Sequence, residues 1–145
     1  MKLLFHKLHE NAILPVRATP DSAGADLCAC LDAPVTIAPG ETAMIPLGLT
    51  CQPTRKDVAL LVFPRSGLAS RHGITMANAV GVVDSDYRGE WHVPLHNISS
   101  EPFTIEHGMR VAQLVVTPVL FPEMEETDAV DETERGTGGF GSSGI

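Results

Sequence analysis

An acid at the end of an apolar run is the first residue able to do chemistry. In "GVVDSDYRGEW", residues 81–91, Val80 to Val83 read as the end of a strand, and Asp84 follows directly. A carboxylate against apolar chain is expected to be partly desolvated, which raises its pKa and suits it to act as a base. Tyr87, three residues on, offers a ring that can pack on a sugar face. The plainer alternative is a polar turn in which Asp84 or Asp86 bonds its own backbone. "FPRSGLAS", residues 63–70, is the second candidate. Arg65 supplies a rigid fork of donors. Ser66 supplies a hydroxyl and Gly67 a close backbone approach. A short helix opening there would present free N–H groups, so the stretch suits phosphate. A capped helix with a surface arginine explains the same residues.

The glycine-rich end, "RGTGGFGSSGI", is the third candidate. Its backbone N–H groups can wrap phosphates, Arg135 can pair with a terminal phosphate, and Phe140 can stack on a planar ring. A flexible tail is the alternative, and "GSSG" also resembles a linker. Gln113 is an amide inside an apolar strand, available to a ligand or to backbone. Asp26 is an acid within an alternating strand; it pairs with a base such as Arg65 or serves a metal's water shell.

The elements that must hold these groups are mostly strands. Apolar patterning predicts strands over 2–8, 25–31, 42–51, 57–63, 90–98 and 110–121. Pro46 and Gly48 demand an edge or a bulge in the third. Trp91, Val93 and Leu95 share one face of the fifth. One helix of one or two turns is expected over 66–73, with Ser66 as cap and Gly73 as stop. Turn signals every 8–12 residues or so predict an all-β sandwich, jelly roll or barrel.

At 145 residues the chain suits one domain. The net charge of −8 is uneven, because residues 123–134 hold seven acids and no base. Residues 1–122 hold eleven acids and nine bases, with no evident basic face, which argues against nucleic acid as a partner. The expected organisation is a body over 1–122 and an acidic, then glycine-rich, mobile tail over 123–145. Three cysteines, Cys28, Cys30 and Cys51, fit buried thiols in a reducing cytoplasm better than a Cys28–Cys30 metal pair. No apolar run is long enough to span a bilayer, and the apolar part of the N-terminus is too short for a signal peptide.

Five segments in order, "DSAGADL", "PRSGLAS", "GVVDSDYRGEW", "RVAQ" and "RGTGGFGSSG", resemble the five motifs of the homotrimeric deoxyuridine triphosphatase (dUTPase) family. They span residues 21–144. The resemblance implies an all-β, distorted jelly-roll/β-barrel subunit with at most one short helix. It also implies a homotrimer with shared active sites. The implied reaction is Mg²⁺-dependent hydrolysis of dUTP to dUMP and pyrophosphate by water attack on the α-phosphorus. That would limit uracil incorporation into DNA and supply dUMP for thymidylate synthesis.

Carried over by position, Asp84 resembles the base and Tyr87 the residue that packs on deoxyribose. Asn78, Val82, Val83 and His92 resemble a uracil-reading hairpin. Arg65, Ser66, Gly67 and Gln113 resemble phosphate-site residues. Asp26 resembles the acid near the metal's waters. Arg135 and Phe140 resemble the tail's γ-phosphate contact and uracil stacker, with Gly141 and Ser142 near the phosphates. Two rival readings fit less well. A dCTP deaminase-like enzyme would need a catalytic Glu where Pro94 stands. A non-enzymatic nucleotide-binding β-sandwich would have no need for Asp84, Tyr87 and Phe140 together.

Overall fold

The computed structural model describes residues 1–140 and Ser142. Eleven strands and one helix follow one another in the body: β1 Leu3–Lys7, β2 Ala25–Cys28, β3 Val35–Ile37, β4 Thr42–Pro46, β5 Leu49–Pro53, β6 Val58–Pro64, α1 Ser66–His72, β7 Ile74–Met76, β8 Gly81–Val83, β9 His92–Asn97, β10 Phe103–Ile105 and β11 Arg110–Pro118. All ladders between these strands are antiparallel. The largest sheet has the order β2-β11-β6-β8, a second has the order β4-β9-β7, and two pairs, β1-β5 and β10-β3, complete the set. This is the distorted jelly roll that the family resemblance implies, within the all-β class that the strand spacing predicts. Among the described residues the sheets do not join into one closed ring, so the barrel form of that expectation is not adopted.

Residue pattern explains which strands are central. β6 reads VALLVFP, almost unbroken apolar sequence, and it pairs on both edges with β11 and β8. β11 lies between β2 and β6 and buries Val111, Ala112 and Leu114. Through β9 and the residue before it the alternation expected from sequence holds: Trp91, Val93 and Leu95 are buried, while His92 is exposed. These residues join Leu27, Ile45 and Leu60 in one core. Fully burying such a side chain stabilises the fold by about 1.5–3 kcal/mol. Trp91 meets the edge of Phe5 with ring centroids 5.8 Å apart. Its indole N–H is buried without a hydrogen-bond partner among the described residues.

Among the described residues Asn97 is the buried polar exception, and it is fully satisfied. Its Nδ2 donates to the carbonyls of Ile37 at 2.9 Å and Glu101 at 2.8 Å, and its Oδ1 accepts from the Ser99 N–H and hydroxyl. Those bonds offset its desolvation and fix the 97–101 turn.

Several boundaries differ from the sequence reading. The expected strand 42–51 is two strands, because Gly48 turns the chain at φ +64. That turn is tight: a Cβ at Gly48 would lie 2.8 Å from Cys30 Sγ. The strand expected over 25–31 ends at Cys28, and the one over 110–121 ends at Pro118, which cannot donate to a ladder. β3, β7 and β10 are three residues each, too short to show a period.

Helix α1 ends at Gly73 in the left-handed region, as expected. Its N-cap is Arg65, not Ser66, and no side chain caps it. The guanidinium is drawn elsewhere, to Asp26. From Val119 to Phe140 the chain carries no strand or helix, and turns appear only from Glu134 onward.

Candidate active site

β7 and β8 belong to different sheets. β7 pairs with β9, and β8 pairs with β6. Residues 74–83 therefore cross from one sheet to the other, and the uracil-reading hairpin expected from sequence is instead a sheet-to-sheet corner. Its turn holds Ala79 at φ +58, a conformation that costs a non-glycine residue roughly 1–2 kcal/mol. The Ala77 N–H reaches the Pro94 carbonyl at 2.9 Å and anchors the turn to β9. Gly81 lets the Asn78 amide come close, since a Cβ there would lie 3.4 Å from its Nδ2.

Between the two sheets lies a cavity of about 310 Å³. Asn78, Val82, Val83, Asp84, Tyr87 and His92 all line it, which unites six of the residues singled out from sequence. β8 is the outer strand of its sheet: one edge is bound to Leu60–Val62 of β6, and the other has no strand partner among the described residues. An open strand edge presents donors and acceptors at fixed spacing, which is what recognition of a base edge requires.

Asp84 ends β8 at the mouth of this cavity and is exposed. The partial burial expected of it is not found in the single chain. The turn alternative is half realised. The Tyr87 N–H donates to the Asp84 carbonyl at 3.2 Å, and Ser85 Oγ ties the turn to the Lys56 carbonyl at 2.9 Å. Neither the Asp84 nor the Asp86 carboxylate accepts a hydrogen bond from any of the described residues, so Asp84 keeps its oxygens free for water. The same residue also borders a second hollow of about 780 Å³, together with Lys56, Arg88 and Phe121.

A separate cleft of about 410 Å³ gathers Asp26, Arg65, Ser66, Gly67 and Gln113. Asp26 on β2 holds two guanidiniums: Arg65 Nε at 2.9 Å and Arg110 Nη1 at 3.2 Å. Arg65 also donates to the Arg110 carbonyl at 3.3 Å. One acid against two fixed arginines leaves net positive charge and unused N–H donors facing the cleft, a site for an anion. Gly67 adds open space, since a Cβ there would meet nothing within 4 Å.

Gln113 donates to the Pro64 carbonyl at 3.0 Å and at the same time lines the cleft, so a backbone contact does not remove it from a ligand's reach. Its Oε1 packs so close to Gly24 that a Cβ there would sit 2.6 Å away, which accounts for the glycine in "DSAGADL". Arg110 was missed by sequence reasoning. Its place at the start of "RVAQ" was the available signal, and the pairing of β11 with β2 is what brings it to Asp26.

Burial pushes the Cys51 thiol up to about 11. Burial also raises the Cys28 thiol, with Asp26 adding to the effect. All three cysteines are free, and among the described residues no three His, Cys, Asp or Glu side chains cluster to hold a metal.

Near its end the tail makes local turn contacts. The Gly136 N–H donates to Thr133 Oγ1 at 3.2 Å, and Arg135 Nε donates to the Gly138 carbonyl at 2.9 Å. Phe140 is fully exposed at φ +50, and the Ser142 N–H donates to the Gly139 carbonyl. Gly141 lies outside the described residues. Arg135, Phe140 and Ser142 line neither the cavity nor the cleft, and those two share no lining residue. A single chain thus holds three separated pieces of a site.

An anion cleft, an open strand edge beside a free carboxylate, and an aromatic tail on a jelly roll define a nucleotide-phosphate-handling protein. The comparisons narrow that class. A family model described as dUTPase matches residues 10–144. The deoxyuridine 5'-triphosphate nucleotidohydrolase of Desulfitobacterium hafniense is 48% identical over 145 residues, covering 100% of this chain and 96% of that protein. The protein of the same name from Serratia proteamaculans is 46% identical over 144 residues, covering 99% and 95%. The Staphylococcus bacteriophage 80alpha dUTPase, solved with dUPNHPP, superimposes with a TM-score of 0.89 at 26% identity, covering 99% of each chain. The chain belongs to the dUTPase family.

Proposed function

We propose that this protein is a dUTP diphosphatase: it hydrolyses dUTP to dUMP and pyrophosphate, which keeps uracil out of DNA and supplies dUMP. The observation that carries the chemistry is the Asp84 carboxylate, unengaged at the mouth of a cavity that also holds Tyr87 and the free edge of β8. In this reading Asp84 orients a water and takes its proton as the oxygen attacks the α-phosphorus, an in-line displacement with pyrophosphate leaving. Backbone of Val82 and Val83, with Asn78 and the start of β9 at His92, reads uracil. Paired hydrogen bonds reject cytosine, whose groups at position 4 are reversed. Tyr87 packs on the deoxyribose. Arg65, Ser66, Gly67 and Gln113 bind the phosphates, and Arg110 joins them.

Members of this family depend on a metal, and Mg²⁺ is the ion proposed here. The described residues offer no cage of ligands, and both Asp26 oxygens already accept from arginines. That donor set fits an ion carried by triphosphate oxygens and water, with Asp26 touching only its waters. When bound, it would neutralise phosphate charge and align the chain for attack.

The separation of cavity, cleft and tail within one chain supports a homotrimer in which neighbouring subunits complete each site. Exposed apolar side chains at Val82, Leu120, Phe121 and Met124 provide surface for such contacts. The body over 1–122 carries the pockets, and the segment 123–145 reaches across to close over substrate, bringing Arg135, Phe140, Gly141 and Ser142 to the triphosphate and base. No helix among the described residues is long and apolar enough to cross a membrane. Free thiols favour the cytoplasm. The test is incubation with each dNTP and Mg²⁺, with pyrophosphate and ammonia both assayed. Pyrophosphate from dUTP alone supports the reading. Release from no nucleotide, or ammonia from dCTP, refutes it.

A further inference from the structure

Tyr87 stands on an exposed loop, yet its ring has one defined seat. A Cβ at Gly89 would overlap the Tyr87 hydroxyl and come within 2.5 Å of Cζ and 3.0 Å of Cε2. The ring therefore lies directly over residue 89. Gly89 is absent from the residues with positive φ, so its backbone does not require glycine there. Space for the ring is the remaining reason.

The hydroxyl is also tethered, donating to the Glu90 carbonyl at 3.2 Å. Glu90 is in turn fixed to the body. Its Oε1 accepts from the Gly48 N–H at 3.0 Å, and next to it the Leu47 N–H donates to the Trp91 carbonyl and the Trp91 N–H to the Leu49 carbonyl, both at 2.9 Å. The Gly48 turn cannot yield easily, being packed on Cys30 and Ala12, with its carbonyl accepting from the Leu8 N–H at 2.8 Å.

We propose that Gly89 and Glu90 are positioning residues, a seat and a latch that orient Tyr87 and thereby set how strongly the site prefers a deoxyribose to a ribose nucleotide. This rests on the dUTP-hydrolysing reading and deepens it. The physical ground is that a 2′-hydroxyl is one extra oxygen. A ring free to change rotamer would move aside for it, whereas a ring held at its face and its hydroxyl would not. Glu90 acts through the loop, and neither residue touches the reacting atoms.

The experiment measures kcat/KM for dUTP and for UTP, separately, in the wild type, Gly89→Ala, Glu90→Ala and Glu90→Gln. The clash at residue 89 falls on the far end of a side chain that can swing out, so Gly89→Ala is expected to fold with Tm within about 2 °C of wild type. Its dUTP-to-UTP preference is expected to fall by roughly tenfold or more, because a substrate-positioning side chain misplaced by about an ångström costs at least that order. Glu90→Ala should lose preference similarly. Glu90→Gln keeps an acceptor for the Gly48 N–H and should retain it. A folded Gly89→Ala variant with the wild-type preference overturns the seat. Equal preferences in Glu90→Ala and Glu90→Gln overturn the latch, and that pair decides the matter should Gly89→Ala fail to fold. A wild type that hydrolyses neither nucleotide overturns the hydrolase reading itself, and one that hydrolyses both equally overturns the seat and latch alone.

Discussion

Asp84 has few neighbours, and that suits a base that must accept a proton from water. Replacing it with Asn keeps the shape and removes the basic oxygen. Asp84→Asn is expected to bind dUTP with near-normal affinity and lose roughly 10²–10⁴-fold in kcat, as removal of a general base does; near-normal turnover would show that another group activates the water. Cys51 gives a pH prediction. Its folded value of about 11 stands above the ordinary 9.0 because burial disfavours the thiolate. The folded state therefore holds the proton more tightly than the unfolded chain. The stability this contributes is complete below pH 9 and is lost as pH rises through about 11. Melting curves should fall across that window, and Cys51→Ala should flatten the fall; an unchanged slope would place the alkaline sensitivity elsewhere.

Among the elements, the corner from β7 to β8 holds a strained residue. Ala79 sits at φ +58, and its neighbours Asn78 and Val82 line the cavity. Ala79→Gly removes a left-handed penalty of roughly 1–2 kcal/mol but adds unfolded-state entropy. The net expectation is a stabler protein by about 0.5–1 kcal/mol, with Tm raised by about 2 °C, and a raised KM for dUTP because the turn loses rigidity. A lower Tm would show that the alanine methyl makes a contact outweighing the strain. Helix α1 shows the opposite economy: Arg65 occupies the N-cap without capping, because its guanidinium is committed to Asp26 across the cleft.

For the whole molecule, the question is how three separated pieces become one site. A chain truncated before Arg135 removes no strand and none of the buried core. It is expected to keep its fold and its assembly while activity falls severely, because Arg135 and Phe140 are lost. Unchanged steady-state rates would show that the tail is dispensable. Sedimentation should give about three times the 15.5 kDa chain mass. A fully active species at the mass of one chain would require cavity, cleft and tail to meet within a single subunit.

Much of this was legible in sequence because local chemistry declares itself locally. The apolar run of β6, the alternation in β9, the stop at Gly73 and the five motifs all rest on side-chain types a few residues apart. The same patterns placed Asp84 beside Tyr87 and Arg65 beside Ser66. Tertiary structure decided what depends on residues distant in sequence. It divided 42–51 at Gly48, because Cys30 and Ala12 pack there. It made 74–83 a crossing between sheets, because β7 and β8 find different partners. It left Asp84 exposed, put Arg110 beside Asp26, and set Tyr87 on Gly89 with Glu90 latched to Gly48. Each of these is a contact between groups that the linear order keeps apart, and no period or motif in the chain encodes the distance between them.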